Sequence, residues 1–288
     1  MTERIMTADG VELCLETFGA ATDPALLLIA GAALSMDWWE PAFCTRLAEQ
    51  GRFVIRYDHR DTGRSVTSPA GAPSYTGDEL ATDPLRILNA LGVARAHLVG
   101  VSMGGGMAQY LAARHADRLR TLTLVATSPA GERSGQECLP PPEPRIRATF
   151  EDPAAEPDWA DRQGVVDYLV EAERPFAGSL GFDEERARRV ANIAVDRTRD
   201  LAASVTNHWA ISGGSTDQFR LAEIAVPTLV LHGTDDPLFP YAHGEALAAE
   251  IPGATLVPLA GMGHEMPPPA LWDTVVSAVV RHTGQMTA

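Results

Sequence analysis

The segment AHLVGVSMGGGMAQYLAARH, residues 96–115, decides the fold of this chain. Its first five residues predict a short buried strand, and the residues from Met103 to His115 have the pattern of a helix. Between them lies Gly100-Val101-Ser102-Met103-Gly104, a G-x-S-x-G motif whose sharp strand-to-helix turn exposes a serine hydroxyl. Both flanking positions are glycine because larger residues would collide in so tight a turn. We predict that Ser102 is a nucleophile; the alternative is a glycine-rich turn that happens to contain a serine.

Strands and helices alternate on both sides of this motif. A continuous apolar run such as Ala25–Gly31 predicts a strand buried on both faces, and Asp9-Gly10 predicts a hairpin turn. Strands that alternate with helices predict the α/β class, with a mostly parallel sheet and helices on both faces. The predicted strands are Arg4–Thr7, Val11–Phe18, Ala25–Gly31, Phe53–Asp58, Ala96–Gly100, Leu119–Ala126, Val226–Gly233 and Thr255–Leu259. The predicted helices between them are Trp38–Gln50, Glu79–Leu91, Met103–His115, Tyr241–Glu250 and Pro269–His282.

The alternation stops between Ser128 and about Ser215, where no buried strand pattern occurs. This stretch opens with a proline cluster and continues with the helix-like segments Gln163–Glu173 and Asp183–Leu201. We predict a core of residues 1–127 and 216–288, and a helical lid, residues 128–215, over the sheet edge where α/β proteins bind ligands. The lid is expected to set specificity, and its acidity would favour a cationic group such as an amino sugar. Aromatic residues that suit either an apolar pocket or the lid's own core are Trp38, Trp39, Phe150, Trp159, Tyr168, Phe176 and Trp209.

Composition excludes several classes of function. All 23 basic residues are arginine, so the chain has no lysine for a Schiff base, a phosphate-binding loop or a Ser-Lys mechanism. The formal net charge is −15, which gives no general electrostatic attraction to nucleic acid or to an anionic membrane surface. We therefore expect neither as a partner, and the sequence carries no signal for an oligomeric state.

The cysteine pattern favours a reducing compartment. Cys14, Cys44 and Cys138 are odd in number and form no C-x-x-C pair, which argues against a disulfide framework and a structural zinc site. The first residues have no signal-peptide pattern, and no apolar run has the length of a membrane span. No dinucleotide-binding or metal-ligand spacing occurs either. We expect a cytoplasmic protein without metal or cofactor.

A serine nucleophile needs a base, and the base needs an orienting acid. In strand-turn-helix hydrolases the chain order is serine, acid, histidine. Asp235 and Asp236 follow the strand Val226–Gly233, and we choose Asp236 because the adjoining Pro237 holds it in an extended conformation. Of the eight histidines, His264 lies in a glycine-flexed loop between the last strand and the last helix. The predicted catalytic residues are thus Ser102, Asp236 and His264.

The oxyanion formed by attack on a carbonyl needs two backbone N–H donors. One donor is expected from Met103, the residue after the nucleophile. The other is expected from the loop Ala30-Gly31-Ala32-Ala33 that follows the strand Ala25–Ala30, and Ala32 is the predicted donor.

Four motifs together resemble the α/β-hydrolase superfamily: the elbow, residues 58–65 (DHRDTGRS), residues 233–237 (GTDDP) and residues 261–264 (GMGH). Within that superfamily the start of the chain (TERI…GVEL…FG…DPALLL), residues 57–65 (YDHRDTGRS) and residues 252–264 (PGAT…GMGH) most resemble aclacinomycin methylesterase and related actinomycete esterases, which remove a methyl ester from a polyketide antibiotic. The lid resembles them least. Two departures occur: many relatives have His-Gly where this chain has Ala30-Gly31, and Pro84 interrupts a helix that relatives usually run unbroken.

The resemblance implies a serine carboxylic-ester hydrolase that acts on a small apolar ester through an acyl-enzyme. The same residues also serve lactonases, C–C bond hydrolases, perhydrolases and proline iminopeptidases, and a ligand receptor can keep the fold without turnover. In the block at residues 58–65, Arg60 and Arg64 are expected to tie loops together, and a catalytic role of His59 is the less favoured alternative.

Overall fold

An eight-stranded sheet forms the centre of the molecule in this computed structural model, which describes residues 3–135, 138–212 and 218–284. The strand order is β1-β2-β4-β3-β5-β6-β7-β8; β2 runs antiparallel to both of its neighbours, and the other pairs are parallel. The predicted α/β class with a mostly parallel sheet is confirmed. The strands are β1 Arg4–Ala8, β2 Val11–Phe18, β3 Ala25–Ile29, β4 Phe53–Tyr57, β5 Ala96–Val101, β6 Leu119–Val125, β7 Thr228–Gly233 and β8 Thr255–Leu259.

Helices cover both faces of this sheet. The helices on these faces are α1 Pro41–Ala48, α2 Gly77–Ala90, α3 Met103–Arg114, α8 Ala242–Glu250 and α9 Trp272–Gly284. The other helices are α4 Pro144–Glu151, α5 Arg162–Glu173, α6 Glu184–Arg197 and α7 Leu201–Ala210. Alternate residues of a strand point to opposite faces. Leu27 of β3 therefore packs in a layer with α2, α3 and α8, whereas Leu26 and Leu28 pack with α1 and α9. Burial on both faces explains why β3 is apolar at every position.

Two prolines shape the helices near the sheet. The helix predicted from Trp38 begins later, because Pro41 takes the first helical position, which suits its fixed φ and its missing N–H. The second proline, Pro84, does not break α2, because one helix runs through it from Gly77 to Ala90. Thr76 and Glu79 form a capping box at the N-terminus of this helix.

Helices α4 to α7 lie between β6 and β7, and we call residues 144–210 the helical segment. Val166 and Ala191 belong to a separate apolar cluster between α5 and α6. The single stretch predicted over Asp183–Leu201 is interrupted at residues 198–200, where Asp200 caps α7 by accepting from the Ala203 amide. The lid boundary at residues 128–215 stays a prediction, and residues 136–137 and 213–215 within it lie outside the described part of the chain.

Arg197 anchors the helical segment to the core. Its guanidinium pairs with Asp58 at 2.8 Å, with Glu3 at 2.8 Å, and with Asp37. Asp58 is fully buried after β4, so this pair joins the end of α6 to the loop at the sheet edge. Among the described residues, no helix has the length and hydropathy needed to cross a lipid bilayer.

His97 gives the fold a measurable acid sensitivity. This buried histidine of β5 bonds through Nδ1 to Thr121 Oγ1 of β6 at 2.9 Å. Burial lowers its pKa to about 3, and the nearby Arg52, Arg120 and Arg95 act in the same direction. Below pH ~6.5 the His97 imidazole therefore binds a proton in the unfolded chain but not in the native chain. The free energy of unfolding falls as the pH falls from about 6.5 to about 3.

We predict that His97→Asn makes the free energy of unfolding less sensitive to acid. The difference between pH 7 and pH 5, measured by urea unfolding, should be smaller by about 2 kcal/mol in the variant, because the proton-binding group is removed from the unfolded chain. An equal pH dependence in the variant and the wild type would show that His97 binds its proton in the native protein as readily as in the unfolded chain.

Candidate active site

The turn between β5 and α3 places Ser102 in a strained backbone conformation, with φ 52° and ψ −118°. A Cβ atom at Gly100 would lie 2.3 Å from the carbonyl oxygen of Gly104. A Cβ atom at Gly104 would lie 2.4 Å from the carbonyl oxygen of Ala30. Only glycine fits at either position, so the sequence motif follows directly from the closeness of β5, α3 and the end of β3.

The structure brings Ser102, His264 and Asp236 into one hydrogen-bonded chain. His264 Nε2 lies 3.0 Å from Ser102 Oγ, and His264 Nδ1 lies 2.9 Å from Asp236 Oδ2. The three residues follow β5, β8 and β7, whose carboxyl ends meet at one edge of the sheet. The buried Asp236 also accepts from the amides of Leu238 and Phe239 through Oδ1, which fixes its carboxylate in place.

Asp235 points elsewhere. Its Oδ2 accepts from the Ser179 amide at 3.2 Å, and its Oδ1 accepts from Thr234 Oγ1 at 2.9 Å. The hydrogen bonds to Ser179 and Thr234 lower the pKa of this carboxyl. Asp235 therefore holds the loop that leads into α6, while its neighbour faces the imidazole.

The turn after β3 runs beside the serine. A Cβ atom at Gly31 would lie 3.5 Å from the Ser102 Cβ, and Ala33 has a φ of 62°. Ala33 donates its amide to His208, whereas the amide of Ala32 has no acceptor among the described residues. Met103 is the first residue of α3, so its amide has no acceptor within the helix. These two amides remain our proposed oxyanion donors.

The block at residues 58–65 is a structural junction. Arg60 makes two hydrogen bonds to Asp83 of α2, at 2.7 and 2.9 Å, and Arg64 pairs with Glu3. His59 is fully buried and does not face the cavity; its Nε2 bonds to the carbonyl of Ala30 at 3.1 Å. Arg60 thus ties this block to α2, Arg64 ties it to the residue before β1, and His59 supports the loop at the end of β3.

A cavity of about 700 Å³ opens above Ser102 and His264. The helical segment forms much of its wall, and its lining is mostly apolar. Six of the seven aromatic residues considered above line it, whereas Trp39 is buried beneath the site against Phe43. The six lining aromatics are Trp38, Phe150, Trp159, Tyr168, Phe176 and Trp209.

Four carboxyl side chains also line this cavity, and sequence reasoning missed all of them: Asp152 and Glu171 are exposed, whereas Glu173 and Glu265 are partly buried. Burial and the neighbouring Glu265 raise the pKa of Glu173 to about 7, against the opposing influence of His264 and Arg186. Burial also raises the pKa of Glu265. In the part of the chain that the structure describes, no three metal-ligating side chains come together.

Comparison with known proteins places this geometry in context. A sequence profile of the alpha/beta hydrolase fold matches residues 24–268. Two rhodomycin D methylesterases are 35% and 34% identical over the whole of both chains; they come from Streptomyces sp. (strain C5) and Streptomyces peucetius. The crystal structure of the enol-lactonase from Burkholderia xenovorans LB400 matches with a TM-score of 0.73 at 26% identity, covering 98% of this chain and 100% of that one.

The neighbouring aspartates allow a matched test of the acid. We predict that Asp236→Asn lowers kcat for p-nitrophenyl butyrate by about 10³ to 10⁴, because the amide no longer stabilises the imidazolium form of His264. Asp235→Asn changes the same side-chain atoms and should lower kcat by less than about tenfold, since it loosens only the Ser179 loop. Steady-state kinetics on both variants measures the two losses, and thermal unfolding checks that both variants are folded. Equal losses of kcat would contradict the assignment of Asp236 as the acid that orients His264.

Proposed function

The chain belongs to the α/β-hydrolase family, and we propose that it is a serine carboxylic-ester hydrolase that uses Ser102, His264 and Asp236. The observation that carries the proposal is the continuous hydrogen-bonded chain from Asp236 through His264 to Ser102, which ends at a large apolar cavity. A serine within 3.0 Å of an imidazole that is itself held by a buried carboxylate is the arrangement that acyl transfer requires.

The reaction follows from the positions of these groups. His264 takes the proton of Ser102 as the serine oxygen attacks the ester carbonyl. The amides of Ala32 and Met103 donate to the resulting oxyanion, and the N-terminus of α3 adds a favourable dipole. His264 then returns the proton to the leaving alcohol, and water hydrolyses the acyl-enzyme with the same base. Asp236 stabilises the imidazolium at each stage.

The proposed substrate is the methyl ester of a bulky, polyketide-type molecule. Full-length similarity to two rhodomycin D methylesterases supports the ester class. The size and aromatic lining of the cavity support a large, flat acyl part, since apolar clefts of several hundred Å³ enclose molecules of that size. The helical segment supplies most of that lining, and we propose on this ground that residues 128–215 act as the lid that selects the substrate.

A cytoplasmic site of action is part of the proposal. Cys14 and Cys44 are buried as free thiols, and Cys138 is exposed and also free. Unpaired cysteines, one of them on the surface, suit a reducing compartment. The expected partner is the small-molecule ester alone.

Ser102→Ala tests the proposed reaction. We predict that the wild type releases methanol from the methyl ester of a polycyclic aromatic acid and is labelled at Ser102 by a fluorophosphonate. The variant should fold normally and lose both properties, because no other hydroxyl lies within reach of His264 in the described site. Persistent labelling of the variant would identify another nucleophile, and hydrolysis of lactones but not of methyl esters would favour an enol-lactonase-like activity instead.

The cavity carboxyls predict discrimination against anionic esters. Glu173 gains negative charge as the pH rises through about 7, and like charges repel strongly in an apolar cavity. The ratio of kcat/KM for p-nitrophenyl valerate over mono-p-nitrophenyl glutarate should therefore increase by about tenfold between pH 6 and pH 8.5. Both esters react through the same catalytic residues, so the pH dependence of those residues affects both kcat/KM values equally and cancels in the ratio.

Glu173→Gln should flatten this increase, and Glu185→Gln should leave it unchanged. Glu185 is a matched control because it carries the same charge on the exposed surface of α6. A ratio that rises equally in both variants would mean that another group sets the selectivity.

A further inference from the structure

His208 joins the helical segment to the turn beside the nucleophile. It lies on α7 and is buried, and its Nδ1 accepts the amide hydrogen of Ala33 at 2.9 Å. Its Nε2 lies 2.9 Å from the carbonyl oxygen of Arg60. A backbone amide can only donate and a carbonyl can only accept, so the ring is neutral and carries its proton on Nε2.

The bond to Ala33 supports a strained conformation. Ala33 has a φ of 62°, a conformation that costs a residue with a side chain about 1–3 kcal/mol. Rotation of the Ala32–Ala33 peptide would relieve this strain and would take the Ala33 amide away from His208. The same rotation would change the backbone at Ala32, whose own amide is a proposed oxyanion donor.

The other end of the turn is held by a second histidine. His59, from the loop after β4, bonds to the Ala30 carbonyl, and its ring packs edge-to-face on His208 with centroids 5.6 Å apart. The sheet core thus fixes the start of the turn through His59. The helical segment fixes its end through His208.

We propose that His208 is a positioning residue for the oxyanion hole, holding residues 31–34 in the shape that aims the Ala32 amide at the reacting carbonyl. This inference rests on the proposed function. It assigns part of the catalytic apparatus to the helical segment, in addition to the selection of the substrate.

Two substitutions separate the two hydrogen bonds of His208. The side-chain oxygen of His208→Asn takes the place of Nδ1 and can still accept from Ala33. The amide of His208→Gln reaches the place of Nε2 and keeps the bond to Arg60, but it leaves the Ala33 amide without an acceptor. Each variant therefore loses one of the two bonds and keeps the other.

We expect His208→Gln to lower kcat for p-nitrophenyl butyrate by about 10- to 100-fold with KM within about threefold, because a misplaced donor weakens only the transition state. His208→Asn should keep kcat within about fivefold of the wild type. A trifluoromethyl ketone, which forms an oxyanion on Ser102, should bind more weakly to the Gln variant by the same factor as kcat/KM. The matching methyl ketone should bind within about twofold of its wild-type affinity.

Equal kcat values in the two variants, or a loss confined to KM, would overturn the inference. If His208→Gln fails to fold by circular dichroism, ¹⁵N-histidine spectra of the wild type decide. The His208 signals, identified by their absence in His208→Asn, must show an unprotonated Nδ1 and a protonated Nε2; the opposite tautomer overturns the inference. Absence of Ser102-dependent turnover in the wild type would instead contradict the proposed function itself.

Discussion

The site depends on one backbone constraint, the strained turn at Ser102. A positive φ at a residue with a side chain costs about 1–3 kcal/mol and persists only where its surroundings enforce it. Here the enforcement comes from contacts of backbone with backbone: α3 starts so close to β5 that no side chain fits at Gly100, and so close to the end of β3 that none fits at Gly104. The constraint sets the serine above the sheet edge, where the loops after β7 and β8 can reach it.

Much of this arrangement could be predicted because it is local in the sequence. Buried parallel strands are recognisable as apolar runs, and the elbow is recognisable because glycines are required at fixed offsets from Ser102. Asp236 and His264 could be proposed because each follows a strand of the same parallel sheet, and the carboxyl ends of such strands share an edge. Helix boundaries are predicted less accurately, since Pro41 delays the start of α1 and the stretch Asp183–Leu201 is divided between α6 and α7.

The remaining features depend on contacts between residues far apart in the chain. Glu173 shows no sequence pattern that separates it from the exposed acids around it; only packing places its carboxyl in the cavity. Arg197 and His208 likewise look like ordinary helix residues. Their partners, Asp58 and Ala33, lie more than 130 positions earlier, so no periodicity or motif spacing connects them. Polar pairs between residues so far apart leave no pattern in a single sequence, so they are found only in the folded structure.

The anchoring of the helical segment bears on how enzymes of this architecture can diversify. Removing one partner of a buried ion pair typically costs about 3–5 kcal/mol. Arg197 is committed to such pairs at the end of α6, while α4 and α5 carry no comparable tie to the sheet edge in the described residues. The two halves of the segment are therefore constrained differently. Helices α4 and α5 can be exchanged or substituted without breaking a buried ion pair to the core, whereas α6 and α7 must be inherited together with the core.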